Sequence, residues 1–354
     1  MLSRITFLLL VCSSLFGVEH VYLKTPNLSQ EEMIGTNVGV RPYRKSGIRI
    51  EAEKIGDKFI IHNYGYGGSG ITLSFGGSKE TIELLENETA EKTVAVLGAG
   101  VIGLATAYDL LEKGYNVHLY ANAWSPNLTS NVAAGIWSPL SFPSYLSEDK
   151  SKFHQKLLEN SEARFLKSTT NEPEFEGVSF IQSYSFKVGD SEGAIKTKNR
   201  GEEVIVHFDN GVIKNGRRVT ELAIDGKLFM EDLFSKVKSN GAVLEEMNFS
   251  SIEDVLSLKE PIIINCLSMG SRELFNDQDF IPSRGQIIYF KSQPGIDYLL
   301  YQNVPNNPNT WVSIYPWSDR IILGGVYEHG EERLNINQDI INKIIENALY
   351  CLEN

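Results

Sequence analysis

Residues 93–122 read TVAVLGAGVIGLATAYDLLEKGYNVHLYAN. An apolar run from Thr93 meets Gly98-x-Gly100-x-x-Gly103. A helical pattern follows to about Lys113, then Gly114 and a second apolar strand ending at Tyr120. Strand, glycine turn, helix and strand within about thirty residues make a βαβ unit. Each glycine has a separate reason. Gly98 allows the tight turn, Gly100 lets a pyrophosphate approach the backbone, and Gly103 lets the helix pack close to the strand. The helix amino end offers unpaired N–H groups to the phosphates. Gly98, Ala99, Gly100, Val101, Ile102 and Gly103 are therefore the expected dinucleotide elbow. The second strand ordinarily ends in an acid that accepts the ribose hydroxyls. Here Asn122 stands near that position and accepts through its amide oxygen, without the charge.

Working outward, strand patterns fall at 57–62, 93–98, 116–120, 261–265, 286–290 and 320–327. Helical patterns fall at 70–86, 101–113, 150–168 and 228–239, and loops rich in Asn, Pro and Gly at 121–149, 188–202 and 302–310. Strands mix with helices throughout, so the fold class is α/β, or mixed α+β. A second glycine elbow precedes the first: residues 59–72 read FIIHNYGYGGSGIT.

The chain has 354 residues and a net charge of −12, which argues against a nucleic-acid partner or an anionic membrane surface. No run is long enough to span a membrane. Residues 1–17, MLSRITFLLLVCSSLFG, place Arg4 before a short apolar run and small residues; this is the architecture of a signal peptide for export to a periplasmic or extracellular site. Without such a signal the chain would be cytoplasmic. Beyond that segment Cys266 and Cys351 remain, neither a disulfide framework nor a metal site, and the six His show no metal spacing.

Residues 125–139 read SPNLTSNVAAGIWSP. Thr129 and Ser130 offer hydroxyls, and Ala133, Ala134 and Gly135 a small-residue path for a cofactor. At this point the chain resembles the D-amino-acid oxidase family of flavoproteins, which carries a similar Thr/Ser pair followed by Val-Ala-Ala-Gly-hydrophobic-Trp. IINC (263–266), SRGQI (283–287) and ILGGVYEHG (322–330) match in the same order. Two signatures found at the family's C-terminus lie near the N-terminus here: GVRPYR (39–44) and HNYGYGGSGIT (62–72). The sequence thus looks like a circular permutant of the family, its C-terminal flavin elbow moved ahead of the dinucleotide elbow. ALYCLEN (348–354) reads on into PNLSQEEMIGTNVGVRP (26–42), and NETAEK links helix to strand at the other join.

The resemblance implies a Rossmann-type FAD-binding domain, at 38–142 plus about 218–283. It also implies a substrate-binding domain on a mixed or antiparallel sheet, at about 143–217 plus 284–354. It implies oxidation of a D-amino acid: the α-hydrogen passes to non-covalent FAD, oxygen is reduced to peroxide, and the imino acid hydrolyses to keto acid and ammonia. Arg41 matches the guanidinium that clamps the substrate carboxylate. Gly68 matches the backbone carbonyl that receives the ammonium. Gly67, Gly68, Ser69, Gly70, Ile71 and Thr72 line the flavin, and Asn122, Thr129, Ser130, Ala134, Gly135, Ile136 and Phe249 complete the cofactor set. Arg44, Arg49 and Arg284 read as structural, Tyr64 and Tyr66 as packing, and Trp137 as either flavin wall or core.

Three departures stand out. Counting back from ILGG puts Ser313 and Asn309 where the family has two pocket tyrosines, with Tyr315 on the same strand face as Ser313. Leu267 replaces a Thr or Ser, and Asn122 replaces an acid. The rival readings are an oxidase of glycine or a secondary amine, and a flavin-binding relative without activity. A homodimer is left open.

Overall fold

The structure is a computed structural model that describes residues 18–137, 147–186, 201–304 and 310–354. Residues 1–17, read above as an expected export signal, and Asn309 lie outside the described residues.

The first sheet has six strands, in the order Val243–Glu246, Asn116–Ala121, Thr93–Leu97, Ile262–Asn265, Lys58–Tyr64 and Arg49–Ile55. Neighbours among the first five are parallel; the last pairs antiparallel through a tight turn at Gly56, whose φ is +61°. Parallel strands are covered on both faces, which is why Val94–Leu97 and Ile262–Ile264 are unbroken apolar runs and fully buried. Helices Gly70–Glu88, Val101–Glu112 and Gly226–Ser239 cover one face through Phe75, Leu85, Leu104, Phe229 and Leu233. Val255 and Leu258 pack on Ile60, Ala95 and Ile263 from the other.

The second sheet has ten strands. Its main path runs Glu19–Leu23, Glu202–Phe208, Ile213–Ile224, Val178–Phe186, Tyr298–Asn303, Thr310–Pro316, Arg320–Val326, Phe280–Lys291 and Glu328–His329, and Met33–Arg44 also pairs with Phe280–Lys291. Most pairs are antiparallel; the exceptions are Glu19–Leu23 with Glu202–Phe208 and Tyr298–Asn303 with Val178–Phe186. Helix Gln338–Glu353 buries Ile341, Ile344, Ala348 and Cys351 against this sheet. Its apolar spacing is helical, yet it lay outside the sequence expectations, as did the strands of 33–55 and 178–224.

The two sheets meet at the glycine elbows. Strand Met33–Arg44 aligns Pro42 opposite Pro282. Neither proline has an N–H to give the ladder. Both carbonyls are taken by loops instead: Pro42 O accepts from the Gly67 N–H (3.1 Å) and Pro282 O from the Gly330 N–H (2.8 Å). The first of these bonds ties the turn after Lys58–Tyr64, in one sheet, to the other sheet.

Among the described residues no helix is long and apolar enough to cross a membrane, and no group of three or more His, Cys, Asp or Glu could hold a metal.

Helix Gly70–Glu88 carries Gly76 and Gly77 in its interior, an intrinsically costly choice. A Cβ on Gly76 would lie 2.0 Å from the Leu157 carbonyl oxygen of helix Glu148–Phe165, and one on Gly77 would lie 1.8 Å from the Tyr66 hydroxyl. Close approach is the reason for both. Gly76→Ala should force the helices apart and lower the thermal midpoint by about 3–8 °C. An unchanged melt followed by circular dichroism would refute this contact.

Candidate active site

Both glycine elbows end in the amino terminus of a helix, and the two termini are adjacent: a Cβ on Gly70 would touch Val101 Cγ1 at 3.4 Å. Neither helix has an acidic residue in its first turn, and neither has a side-chain bond from its own N-cap residue. Two positive helix ends thus face one cavity of about 490 Å³, a size ordinary for a ligand site, where roughly 300–1,000 Å³ is usual. Gly67, Gly68, Gly70, Ile71 and Thr72 line it from one elbow, and Gly98 through Ile102 from the other.

The glycines behave as their spacing implies. Gly98 has φ +100°, and a Cβ there would sit 2.8 Å from the Cys266 carbonyl oxygen. A Cβ on Gly103 would lie 1.8 Å from Gly98 O, so this residue closes helix onto strand behind the cavity rather than lining it. Beside Gly100 the space is open, the nearest atom to a Cβ being Ser130 Oγ at 3.6 Å. Ser69 also stands off the wall; its buried hydroxyl has no protein partner.

Thr129 and Ser130 sit on a short helix, Thr129–Val132, and Ser130 Oγ accepts the Val101 N–H at 3.0 Å. Gly135, with φ +92°, lets the chain lie against Ile224: a Cβ would be 1.8 Å from Ile224 O, and the Ile224 N–H donates to Gly135 O at 2.7 Å. Ala134, Gly135 and Ile136 thereby form a wall of the cavity, while Trp137 turns into the core beneath the helices. At the far end Asn122 donates to Asn248 Oδ1 (3.4 Å), leaving its own amide oxygen available, and Phe249 closes that end.

Arg41 is the one formally charged side chain among the described residues that line the cavity. Its Cζ lies 4.3 Å from the centre of the Tyr327 ring, and its buried Nη1 has no hydrogen-bond partner. A buried guanidinium N–H left unpaired is costly, and a carboxylate is the group that would satisfy it. Trp311, Tyr315 and Tyr327 form the adjoining aromatic wall. Burial pushes the Tyr315 phenol up to about 12 despite its hydrogen bond with Ser313. Ser313 itself is buried behind the wall. Trp311 and Tyr327 were absent from the sequence candidates. Trp311 shares a strand face with Ser313 and Tyr315, in unbroken register with Tyr298–Asn303, so a strand-face count would have found it.

The other arginines are structural. Arg44 pairs with Asp277 at 2.8 Å, Arg49 donates to the Tyr64 hydroxyl at 2.7 Å, and Arg284 grips Glu328 at 2.8 and 2.7 Å. A second buried network fixes the cavity floor. Asn265 Oδ1 accepts from the Leu267 N–H (3.0 Å) and the Ser271 hydroxyl (3.1 Å), so its amide nitrogen points at His62 Nδ1, 3.0 Å away. That leaves Nε2–H to donate to Glu53 at 2.6 Å. Burial holds His62 below its ordinary range, against the pull of Glu53. Asn265 and His62 thus lock the turn at Cys266 and Leu267 to the strand that feeds the other elbow.

Glu221 is buried on strand Ile213–Ile224, opposite Ile181 and within electrostatic reach of Tyr315; its Oε2 has no partner. Burial pushes its carboxyl up to about 7 from an ordinary 4.5, against a hydrogen bond from Ser183. The folded chain therefore holds a proton that the unfolded chain releases, and stability falls as pH rises through this interval, by about 3–4 kcal/mol in all. Glu221→Gln should melt several degrees above the parent at pH 8 and close to it at pH 5. A pH-independent difference would remove the carboxyl from the account.

Residues 93–354 match the family described as DAO, FAD dependent oxidoreductase. The D-amino-acid oxidase of Dictyostelium discoideum is 23% identical over 268 residues, spanning 71% of this chain and 70% of that protein. The D-amino acid oxidase of Dugesia ryukyuensis is 28% identical over 243 residues, spanning 66% and 69%. Among solved structures, glycine oxidase from Geobacillus kaustophilus has a TM-score of 0.51 at 14% identity, covering 73% of this chain and 77% of that one, a likeness of fold. The family match spans most of the chain and includes the dinucleotide elbow, the Thr129–Ile136 wall and the Gly285 strand, and this chain belongs to the DAO family of FAD-dependent oxidoreductases.

Proposed function

We propose that this protein oxidises D-amino acids, with Arg41 as the carboxylate clamp. FAD is the family's cofactor, and it supplies the hydride acceptor when bound. The residues present fit it. Two helix ends without acidic first turns and the open side of Gly100 suit the pyrophosphate, Asn122 and Phe249 the adenosine end, and Gly67, Gly68 and Gly70 through Thr72 with Ala134–Ile136 the flavin.

The single observation carrying the substrate reading is Arg41, the charged side chain among the described lining residues, with a buried Nη1 that no described residue satisfies. Two parallel N–H groups of a guanidinium meet both oxygens of a carboxylate. The carbonyl of Gly68 then receives the ammonium. Trp311, Tyr315 and Tyr327 exclude water and limit how the side chain lies, so that the α-hydrogen is held toward the flavin. The similarity to D-amino-acid oxidases over about two thirds of the chain favours the D-isomer.

The same reading includes a permuted chain order. Its support is threefold: the family match begins at residue 93, the motifs at 39–44 and 62–72 lie upstream of it, and Leu28 shares one core cluster with Ala348, Cys351 and Leu352 of the last helix. It also includes a division into an FAD domain around the six-stranded sheet and a substrate domain around the ten-stranded one.

Anaerobic mixing of the yellow protein with single amino acids tests the reaction. Bleaching by D-isomers and not by L-isomers is expected. Bleaching by glycine or secondary amines alone, or by no amine, would overturn the reading. Arg41→Ala should raise KM for the substrate about 100-fold with FAD content unchanged; unchanged kinetics would exclude Arg41 from the site.

A further inference from the structure

We propose that Gly285 and Tyr327 form a slot that fixes the Arg41 guanidinium in the one orientation able to meet a carboxylate, Tyr327 acting as a positioning residue. The inference rests on the reading of Arg41 as the clamp and adds the device that aims it.

Arginine has a long, flexible side chain, and holding it still costs rotamer entropy. On strand Met33–Arg44 its neighbours do not supply the usual restraint: Nη1 is buried and no carboxylate or carbonyl holds it. The restraint comes from two flat surfaces. On one side lies Gly285 of strand Phe280–Lys291. A Cβ there would sit 2.2 Å from Nη1 and 2.8 Å from both Cζ and Nη2, so the guanidinium lies directly on bare backbone. The other surface is the Tyr327 ring, its centre 4.3 Å from Cζ, which is cation–π contact.

The ring is itself held. Trp311 packs on it with ring centres 4.6 Å apart, and His329 stacks on it at 5.8 Å. The Trp311 end of that pile depends on Gly325, whose φ is +139° and where a Cβ would fall 1.7 Å from the Trp311 carbonyl oxygen. Residues from three strand ends thus converge on one cation, and among the described residues none offers its Nη1 a hydrogen-bond acceptor. A carboxylate partner from the protein would hold Arg41 more firmly and also neutralise it. An aromatic face holds it and leaves its N–H groups for a ligand.

The test uses the FAD-loaded protein and propionate, which is alanine without its amine and cannot be oxidised. Its binding is read as a perturbation of the flavin absorbance, beside KM and kcat for the best D-amino acid. Tyr327→Leu should raise the propionate Kd and the substrate KM about tenfold, with FAD content changed little. Tyr327→Phe keeps the ring face and should recover the parent values to within about twofold. Gly285→Ala, which intrudes from the opposite side, should shift Kd and KM in the same direction as Tyr327→Leu. If Arg41→Ala weakens propionate and Tyr327→Leu does not, the slot is wrong and the clamp stands. If Arg41→Ala has no effect either, both are wrong. A fall in kcat with KM unmoved, or a Phe variant as impaired as Leu, also overturns the slot.

Discussion

Two helices begin side by side with nothing acidic in their first turns, and the rest of the molecule is arranged to make that possible. Like helix ends repel through their dipoles and leave N–H groups unpaired. Bringing Gly70 and Val101 into contact is therefore unfavourable unless an anionic ligand fills the space in front of them. The neighbouring parallel strands Thr93–Leu97, Ile262–Asn265 and Lys58–Tyr64 set the two helices on one face of the sheet, and the His62–Asn265 bond holds the intervening turn in place. A dinucleotide, long and doubly anionic, matches this demand, and the FAD-dependent family match is in accord with it.

Charge is handled differently at the other end of the cavity. The end at the two helix termini presents backbone dipoles and carries no cationic side chain among its described lining residues. That other end holds Arg41, flanked by aromatic rings and a bare glycine. Three nearby arginines that find carboxylates, Arg44, Arg49 and Arg284, lie outside the cavity and join the strands around it. Arg41, by contrast, lines the cavity with no carboxylate partner among the described residues.

How far the sequence foretold this depends on the kind of constraint. Gly98, Gly103 and Gly135 were legible because a backbone that must turn or touch its neighbour tolerates no other residue, so the reason and the letter coincide. Arg41 was legible through its motif. Strand Met33–Arg44 was not: with two glycines and a proline it lacks strand character, and it is a strand because Phe280–Lys291 lies beside it. The aromatic wall was hidden for another reason. Matching to the family motif singles out Ser313, but Trp311, Ser313 and Tyr315 share one strand face in unbroken register, and of the three only the two rings line the cavity. Tyr327 lies just past the end of its strand, where no periodicity speaks for it.

The position of Ile262–Asn265 at the middle of the parallel sheet, between Thr93–Leu97 and Lys58–Tyr64, also fixes when the protein can mature. Both elbow strands are made early, yet each lacks its inner neighbour until the chain has been extended by well over a hundred residues. Loop closure over such separations is slow, and unpaired apolar strands are exposed meanwhile. On the ribosome the two cofactor-facing turns must therefore wait, nearly complete in sequence and unformed in space, until four apolar-rich residues arrive and lock both at once.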